Sequence, residues 1–299
     1  MASALEKVVR RFYPPRNMLY YAQRRVLKPS TREKLTSMIT MTRAKTPPRE
    51  DLKEQVKTLK DDGILFLPVL MTSEQVADIL AWTRTQEAFD PMRKQLGTFV
   101  APDKAPAETH VAHYTYQQLM NCPHVLKIAN DPGVLAIMGQ CLGCKPTISS
   151  INIWWSMGGR AQAEHAELFH RDVDDWRFYK LFIYLTDVDD GAGPHVFVKG
   201  SQSEEALLPI RRYQDDEVEK AFGKDRVMRI TGKAGTAFLE NTFGFHKGTL
   251  CKDKNRLLFQ VQYSVLPIFM YPYKPVPKSD ITVNGFEMDP WINRLFVKS

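Results

Sequence analysis

Two histidines and an aspartate are the side chains in this sequence best suited to hold a metal ion. His170 and Asp172 are separated by one residue in LFHRDVDDW (168–176), and His246 sits in FGFHKG (243–248). On an extended strand, residues i and i+2 project to the same side, so an imidazole and a carboxylate at that spacing can meet one ion. An H-x-D alone occurs often by chance and reads equally well as a surface histidine beside a solvated aspartate. The residues farther along the chain weigh more. His246 comes just after the strand-like GTAFL (235–239), in a turn flanked by glycine and aromatics, and Arg256 opens the apolar run RLLFQVQYSV (256–265). A guanidinium that starts a buried strand needs a partner, because an unpaired buried charge costs several kcal/mol. Its planar fork matches a carboxylate.

Two histidines and one carboxylate on one face of a metal leave further positions open, as in non-haem Fe(II) oxygenases. In this reading His170, Asp172 and His246 hold Fe(II). 2-Oxoglutarate chelates the iron through its 1-carboxylate and keto oxygen, its far carboxylate meets Arg256, and O2 takes the last position. Two alternatives use the same residues. A zinc-dependent hydrolase accepts His and carboxylate ligands but leaves Arg256 without a role. A non-catalytic jelly-roll module binding a carboxylate or sugar has no need of all three ligands and Arg256 together.

The elements that must position these residues change character along the chain. DLKEQVKTLKDDG (51–63) predicts a helix stopped by Gly63, ILFLPVL a short strand, and TSEQVADILAWTRTQ a helix capped at Thr72 or Ser73. Residues 88–120 are irregular, and a helical stretch follows around 123–142. From about 146 the chain is strand-like: ISSINIWW (148–155), KLFIYLT (180–186), HVFV (195–198), VMRI (227–230), GTAFL and RLLFQVQYSV. Many short strands with few helices between them predict a mainly β fold, a double-stranded β-helix (jelly roll) with supporting α-helices. The charged stretch 202–225 predicts a surface excursion with its own helix.

Composition bounds the setting. No apolar run approaches the roughly 18 to 20 residues that cross a bilayer, and MASALEKVVRRFYPP lacks the features of a secretory signal. Cys141 and Cys144 form a C-x-x-C, but Cys122 and Cys251 supply no second pair to complete a zinc site. A cytoplasmic protein with reduced thiols is expected. Twelve of the 41 Lys and Arg and three of the 34 Asp and Glu fall in residues 1–50, a surplus of nine that leaves the remainder at −2. Residues 1–50 therefore read as a basic arm, partly helical or disordered, and 51–299 as the jelly-roll domain with an N-terminal helical layer. The arm is either solvated or drawn to an acidic partner or membrane surface, since FYPPRNMLYYAQRRVLKP mixes aromatics with Arg and Lys. No nucleic-acid recognition motif accompanies it, so nucleic acid is not an expected partner.

The chain resembles the phytanoyl-CoA dioxygenase superfamily of Fe(II)/2-oxoglutarate oxygenases over about residues 52–266. His170-Arg171-Asp172 is similar to that family's proximal H-x-D, and AGTAFLENTFGFHKG to its distal-histidine segment. YLTDVDDGAGPHVFVKGSQ (184–202) resembles its acidic loop, strand and P-G-S-H corner, with Lys199 and Gln202 in place of the corner's Pro and His. The interval from His246 to Arg256 matches its 2-oxoglutarate arginine. The resemblance implies hydroxylation or another oxidation of a small organic or lipid-like substrate, with release of succinate and CO2. The presence of Asp172 implies oxygenation rather than halogenation. It also makes Asn152, on the strand leading to H-x-D, a candidate to bond the cosubstrate carboxylate.

Further candidates are less constrained. Lys180, Phe182 and Tyr184 share one strand face. If that face lines the barrel, Lys180 is a second cation near the cosubstrate and Phe182 lies beside it. Tyr114 and Tyr116, in HVAHYTY (110–116), and Trp155 are candidate substrate contacts. His165 and His195 read as non-ligands, and residues 156–169 as a candidate lid.

Overall fold

The structure, a computed structural model, describes residues 16–283 and 285–298. Eleven strands build its two main sheets: β1 (Ile64–Phe66), β2 (Glu87–Phe89), β3 (Thr98–Val100), β4 (Val111–His113), β5 (Thr147–Ser156), β6 (Phe178–Tyr184), β7 (His195–Val198), β8 (Val227–Ile230), β9 (Ala237–Glu240), β10 (His246–Gly248) and β11 (Arg256–Ser264). The major sheet runs β1-β9-β6-β11-β5-β4-β2-β3 and the minor sheet β10-β7-β8. Their pairings are antiparallel. This is the predicted jelly roll, with helices outside. β2, β3 and β4 extend the major sheet through a stretch whose composition predicts no regular structure.

Every residue of β6 and β11 is buried, because both faces of the major sheet are covered. That is why these strands read as continuous apolar runs instead of alternating ones. On the outer face, Leu59, Ile79, Leu126 and Ile137 from the helices pack with Ile151, Ile153, Leu181 and Val261. On the inner face, Phe182, Tyr184, Phe238 and Leu258 meet Phe197 and Ile230 of the minor sheet. Polar contacts join the helical layer to the turn after β7, where Gly200 N bonds Asp62 O (2.7 Å) and Lys199 pairs with the Asp62 carboxylate (3.0 Å). Gln202 donates from Nε2 to the carbonyls of Lys60 (3.1 Å) and Asp61 (3.0 Å), capping the Lys53–Asp62 helix. Gly63 ends that helix at φ 80°, and a Cβ there would collide with the Gln202 side chain. Gln202 thus does structural work at the corner where the resembled family has histidine.

The described part of the basic arm is helical and lies on the body. Helices span Arg16–Gln23 and Pro29–Met41. Gln23 donates to Asp174 O (2.8 Å), Arg24 to Val173 O (3.2 Å) and Arg32 to Asp175 O. These three carbonyls belong to the residues directly after His170-Arg171-Asp172. Arg32 is 3% exposed, also donates to Gln23 O and Val26 O, and lies over the rings of Phe243 (4.6 Å) and Trp176 (5.5 Å). Burial lowers its pKa to about 10, so it stays charged at neutral pH. Replacing Arg32 by Met removes the guanidinium donor from Val26 O and Asp175 O and one of the two donors of Gln23 O. The expected loss is about 2–3 kcal/mol, read from urea unfolding. An unchanged midpoint would show that the arm contributes nothing to holding this segment.

Asp175 carries a pH dependence. It is fully buried, accepts from Leu266 N (2.7 Å), and its other oxygen has no partner. Burial raises its pKa to about 7. The folded chain therefore keeps a proton that the unfolded chain releases near pH 4, and stability falls as pH rises between those values. Asp175→Asn is expected to flatten this part of the melting-temperature profile, raising the midpoint at pH 8 more than at pH 5. A parallel profile would exclude Asp175 as its source.

Candidate metal centre and its cavity

The register of the sheets decides which side chains meet. On the inner face of the major sheet, Asn152, Trp154 and Ser156 of β5 lie opposite Gln260, Leu258 and Arg256 of β11. Leu258 and Gln260 in turn lie opposite Tyr184 and Phe182 of β6. Lys180 and Phe182 lie opposite Glu240 and Phe238 of β9. The minor sheet faces this surface with His195 from β7 and His246 from β10. His170 joins it through a reciprocal backbone bridge to His246, with N–O distances of 3.0 and 3.1 Å. Asp172 N bonds Thr242 O (2.9 Å), which carries the carboxylate along the same edge.

The three predicted ligands converge. His170, Asp172 and His246 each offer an atom within 4.8 Å of the others. Nδ1 of His170 pairs with Leu168 O (2.9 Å) and Nδ1 of His246 with Gly244 O (3.1 Å). Each ring therefore keeps its proton on Nδ1 and turns Nε2 inward, 3.6 and 3.4 Å from the Asp172 carboxylate. Backbone acceptors that orient imidazoles in this way are typical of metal sites. Burial, and then His246, push the His170 pKa down to about 3, so that ring is neutral and its lone pair is available. Burial pushes Asp172 up, but Lys180 and His246 outweigh it and hold the carboxyl well below the usual carboxylate range. The donor set fits a divalent cation.

His170, Asp172 and His246 line a cavity of about 200 Å³. Phe182, Leu258, Trp154, Gln260 and Arg256 line it as well. Arg256 is 3% exposed. It donates to Gly193 O and to Ser156 Oγ (3.1 Å), and its Nε has no partner. Ala166 and Glu167 of the candidate lid also line the cavity. That segment is anchored by Glu164 to Arg93 (2.7 Å) and by Glu167 to His110 (3.3 Å). A larger cleft, about 470 Å³, lies between the Pro29–Met41 helix and the body, and none of its lining residues belongs to the metal set.

Several predicted contacts are placed elsewhere. Tyr114, Tyr116 and Trp155 are buried in the core on the outer side of the major sheet, away from the cavity. Tyr114 donates to Thr83 O (3.1 Å) and accepts from Trp155 Nε1 (3.2 Å), while Tyr116 bonds both N and O of Lys274. Trp154, one residue over, faces the cavity instead, stacked on His113 at 5.6 Å. Asn152 is on the cavity side of β5 but donates to Ser150 Oγ (2.6 Å), and Gln260 lines the cavity in its stead. Lys180 does line the cavity, with its ammonium on Asp172 (2.6 Å) and near Asp174 (3.6 Å), so it is engaged by these carboxylates. Phe182 lines the cavity. The four cysteines are buried and unpaired. Sequence reasoning missed Ser156, which the pairing Arg256–Ser156 brings to the arginine, and Glu240, whose strand gave no sign of an inward acid.

Removing either imidazole, as His170→Ala or His246→Ala, is expected to abolish stoichiometric Mn(II) binding in calorimetry. Lys180→Met is expected to weaken it about tenfold, as loss of a residue orienting a ligand does. Full-strength binding in both histidine variants would place the metal elsewhere.

No family model matches the chain, and no curated protein does. Solved structures do. The non-heme alpha-ketoglutarate-dependent carbocyclase SnoK of nogalamycin biosynthesis is 18% identical over 73% of this chain and 87% of its own, with a TM-score of 0.52. HygX from Streptomyces hygroscopicus, solved with nickel and 2-oxoglutarate, is 16% identical over 82% and 99%, at 0.52. EctD from S. alaskensis, solved with 2-oxoglutarate and 5-hydroxyectoine, is 16% identical over 74% and 82%, at 0.51. At these identities the likeness establishes the fold, and it agrees with the two-sheet jelly roll of this chain.

Proposed function

We propose that the chain is a non-haem Fe(II)- and 2-oxoglutarate-dependent oxygenase of the phytanoyl-CoA dioxygenase type, oxidising a small organic or lipid-like substrate. One observation carries this reading. Two imidazoles with Nδ1 fixed to the backbone turn Nε2 toward a carboxylate, in a cavity that also holds a buried arginine with a free Nε. The solved relatives bound to a divalent metal or to 2-oxoglutarate support it through shared fold.

Fe(II) held by His170, Asp172 and His246 supplies the redox chemistry, coupling oxidation of 2-oxoglutarate to succinate and CO2 with oxidation of the substrate by O2. The chain's own residues bind, orient and exclude water. Arg256 pairs with the far carboxylate of 2-oxoglutarate. Phe182, Leu258 and Trp154 keep the cavity apolar, which strengthens that pairing. Lys180 holds the Asp172 carboxylate in place through Oδ2. The segment carrying Ala166 and Glu167 covers the mouth. The arm, with exposed Met18, Leu19, Met38 and Met41 among its basic residues, brings the protein to an acidic or membrane-associated source of substrate.

Fe(II) and then 2-oxoglutarate added under argon to metal-free protein are expected to give a weak visible charge-transfer band that needs both. The band should vanish in His170→Ala, and Arg256→Ala should need much more cosubstrate to reach it. A wild type with neither a band nor thermal stabilisation by either addition overturns the oxygenase reading in favour of zinc or binding alone.

A further inference from the structure

The segment leading to His170 brings to the metal cavity an acid that neither the metal nor the cosubstrate uses. Among the described residues lining that cavity, the acids are Asp172 and Glu167. Asp172 is answered by Lys180. Glu167 ends the turn His165–Glu167, and its side chain is 12% exposed. His165 holds a left-handed φ of 47°, which costs a non-glycine residue free energy and persists where the surroundings impose it. Those surroundings act as a latch. Glu164 N donates to Glu167 Oε2 (2.7 Å), and Glu167 N donates to Glu164 O (2.8 Å). Oε2 also meets His110 Nδ1 (3.3 Å), while both oxygens of Glu164 accept from Arg93 (2.7 and 2.8 Å).

The latch does not balance its own charge. Its ion pairs set the carboxylates of Asp90, Glu164 and Glu167 against Arg93 and His110. Even with the imidazole protonated, one negative charge is left over. Arg93 holds Glu164 twice and lies 3.5 Å from Asp90, which is fully buried and does not line the cavity. The excess therefore falls on Glu167, whose Oε1 accepts from no described residue and is not sealed. With Oε2 turned to the latch, Oε1 is the atom left to face the cavity. A carboxylate largely out of water favours a cationic partner over a neutral one. Lys180 is held by Asp172 and Asp174, and Arg256 is taken by the cosubstrate, so the cavity's own cations do not answer Glu167. The other lining residues suit a polar, cationic ligand. Trp154 offers an indole ring, the best aromatic partner for an ammonium. Gln260 is 8% exposed, and neither end of its amide has a partner among the described residues or is sealed. A hydrocarbon chain packed there would leave that amide unsatisfied.

We propose that Glu167 is the specificity residue for the oxidised substrate and selects a small molecule bearing an ammonium group. This rests on the 2-oxoglutarate reading of the same cavity. Three probes of one shape isolate the charge: cyclohexylamine, cyclohexanol and cyclohexanecarboxylate, titrated calorimetrically into protein loaded with Mn(II) and 2-oxoglutarate. The wild type is expected to bind the amine about tenfold more tightly than the alcohol, the worth of a hydrogen bond to a charged group, and the carboxylate most weakly. Glu167→Gln should bring amine and alcohol to within about threefold of each other, while its affinity for 2-oxoglutarate shows that the cavity is still formed. Glu164→Gln also removes a negative charge from the latch but leaves Oε1 of Glu167 in place, so it should keep the amine's advantage. An equal loss in both variants would assign the preference to the latch as a whole and overturn the role of Glu167. So would an amine that binds no better than the alcohol, or no binding by any probe, in protein that takes up 2-oxoglutarate. Either result leaves the oxygenase reading standing, whereas a wild type that binds no 2-oxoglutarate overturns both.

Discussion

The structure turns on a reciprocal backbone bridge. His170 and His246 exchange both of their main-chain hydrogen bonds, and each ring returns Nδ1 to the carbonyl two residues earlier in its own chain. Ring orientation is thus fixed by backbone, the least adjustable part of a protein. Two strand edges that are far apart in sequence must be in register for the two Nε2 atoms to face one point. A slip of one residue would turn one imidazole to the opposite face of its strand. The surrounding pairing serves this requirement. β10 is held against β7, and β7 against β8, so the bridge stands on a sheet and not on a loop.

Buried charge around this bridge is arranged as a chain. Asp172 sits between the two imidazoles and Lys180, and Lys180 also approaches Asp174. Without the metal, the ammonium stabilises a carboxylate that burial alone would neutralise. With a divalent cation present, the same ammonium faces net positive charge across Asp172, so it holds the carboxylate's orientation more than its ionisation. The carbonyls of Val173, Asp174 and Asp175 are bound by Arg24, Gln23 and Arg32. The carboxylate is therefore steadied from the sheet side by Lys180 and from the chain side by the arm.

Much of this is legible in the sequence because it depends on local rules. The three residues that converge, His170, Asp172 and His246, follow from the i, i+2 spacing and a second histidine in a glycine-flanked turn, and the jelly roll from the density of short β-rich runs. The Gly63 helix stop and the Thr72 cap need only local capping rules. The part that is not legible depends on strand phase. In ISSINIWW every residue is plausible on either face when both faces are covered, so Trp155 reads as a pocket residue as readily as Trp154. The β11 register, which sets Arg256 against Ser156, resolves it. Tyr114 and Tyr116 read as loop aromatics because β4 is only three residues long and takes its extension from β5. Glu240 is unreadable because a strand-terminal acid normally faces solvent, and its burial depends on β1 and β6 flanking it on both sides.

The docking of the arm has a consequence for how the chain acquires its structure. The Pro29–Met41 helix finds its anchor at residues 173–177, about 145 residues later in synthesis. At some 5–20 residues per second, a ribosome takes roughly seven to thirty seconds to cover that interval. During that time Arg32 and Glu33 have no docking partner within the protein, and the helix is an unattached basic segment with exposed methionines. Any anionic surface near the nascent chain can compete for it, and the last residues to be steadied around the metal carboxylate wait on the outcome.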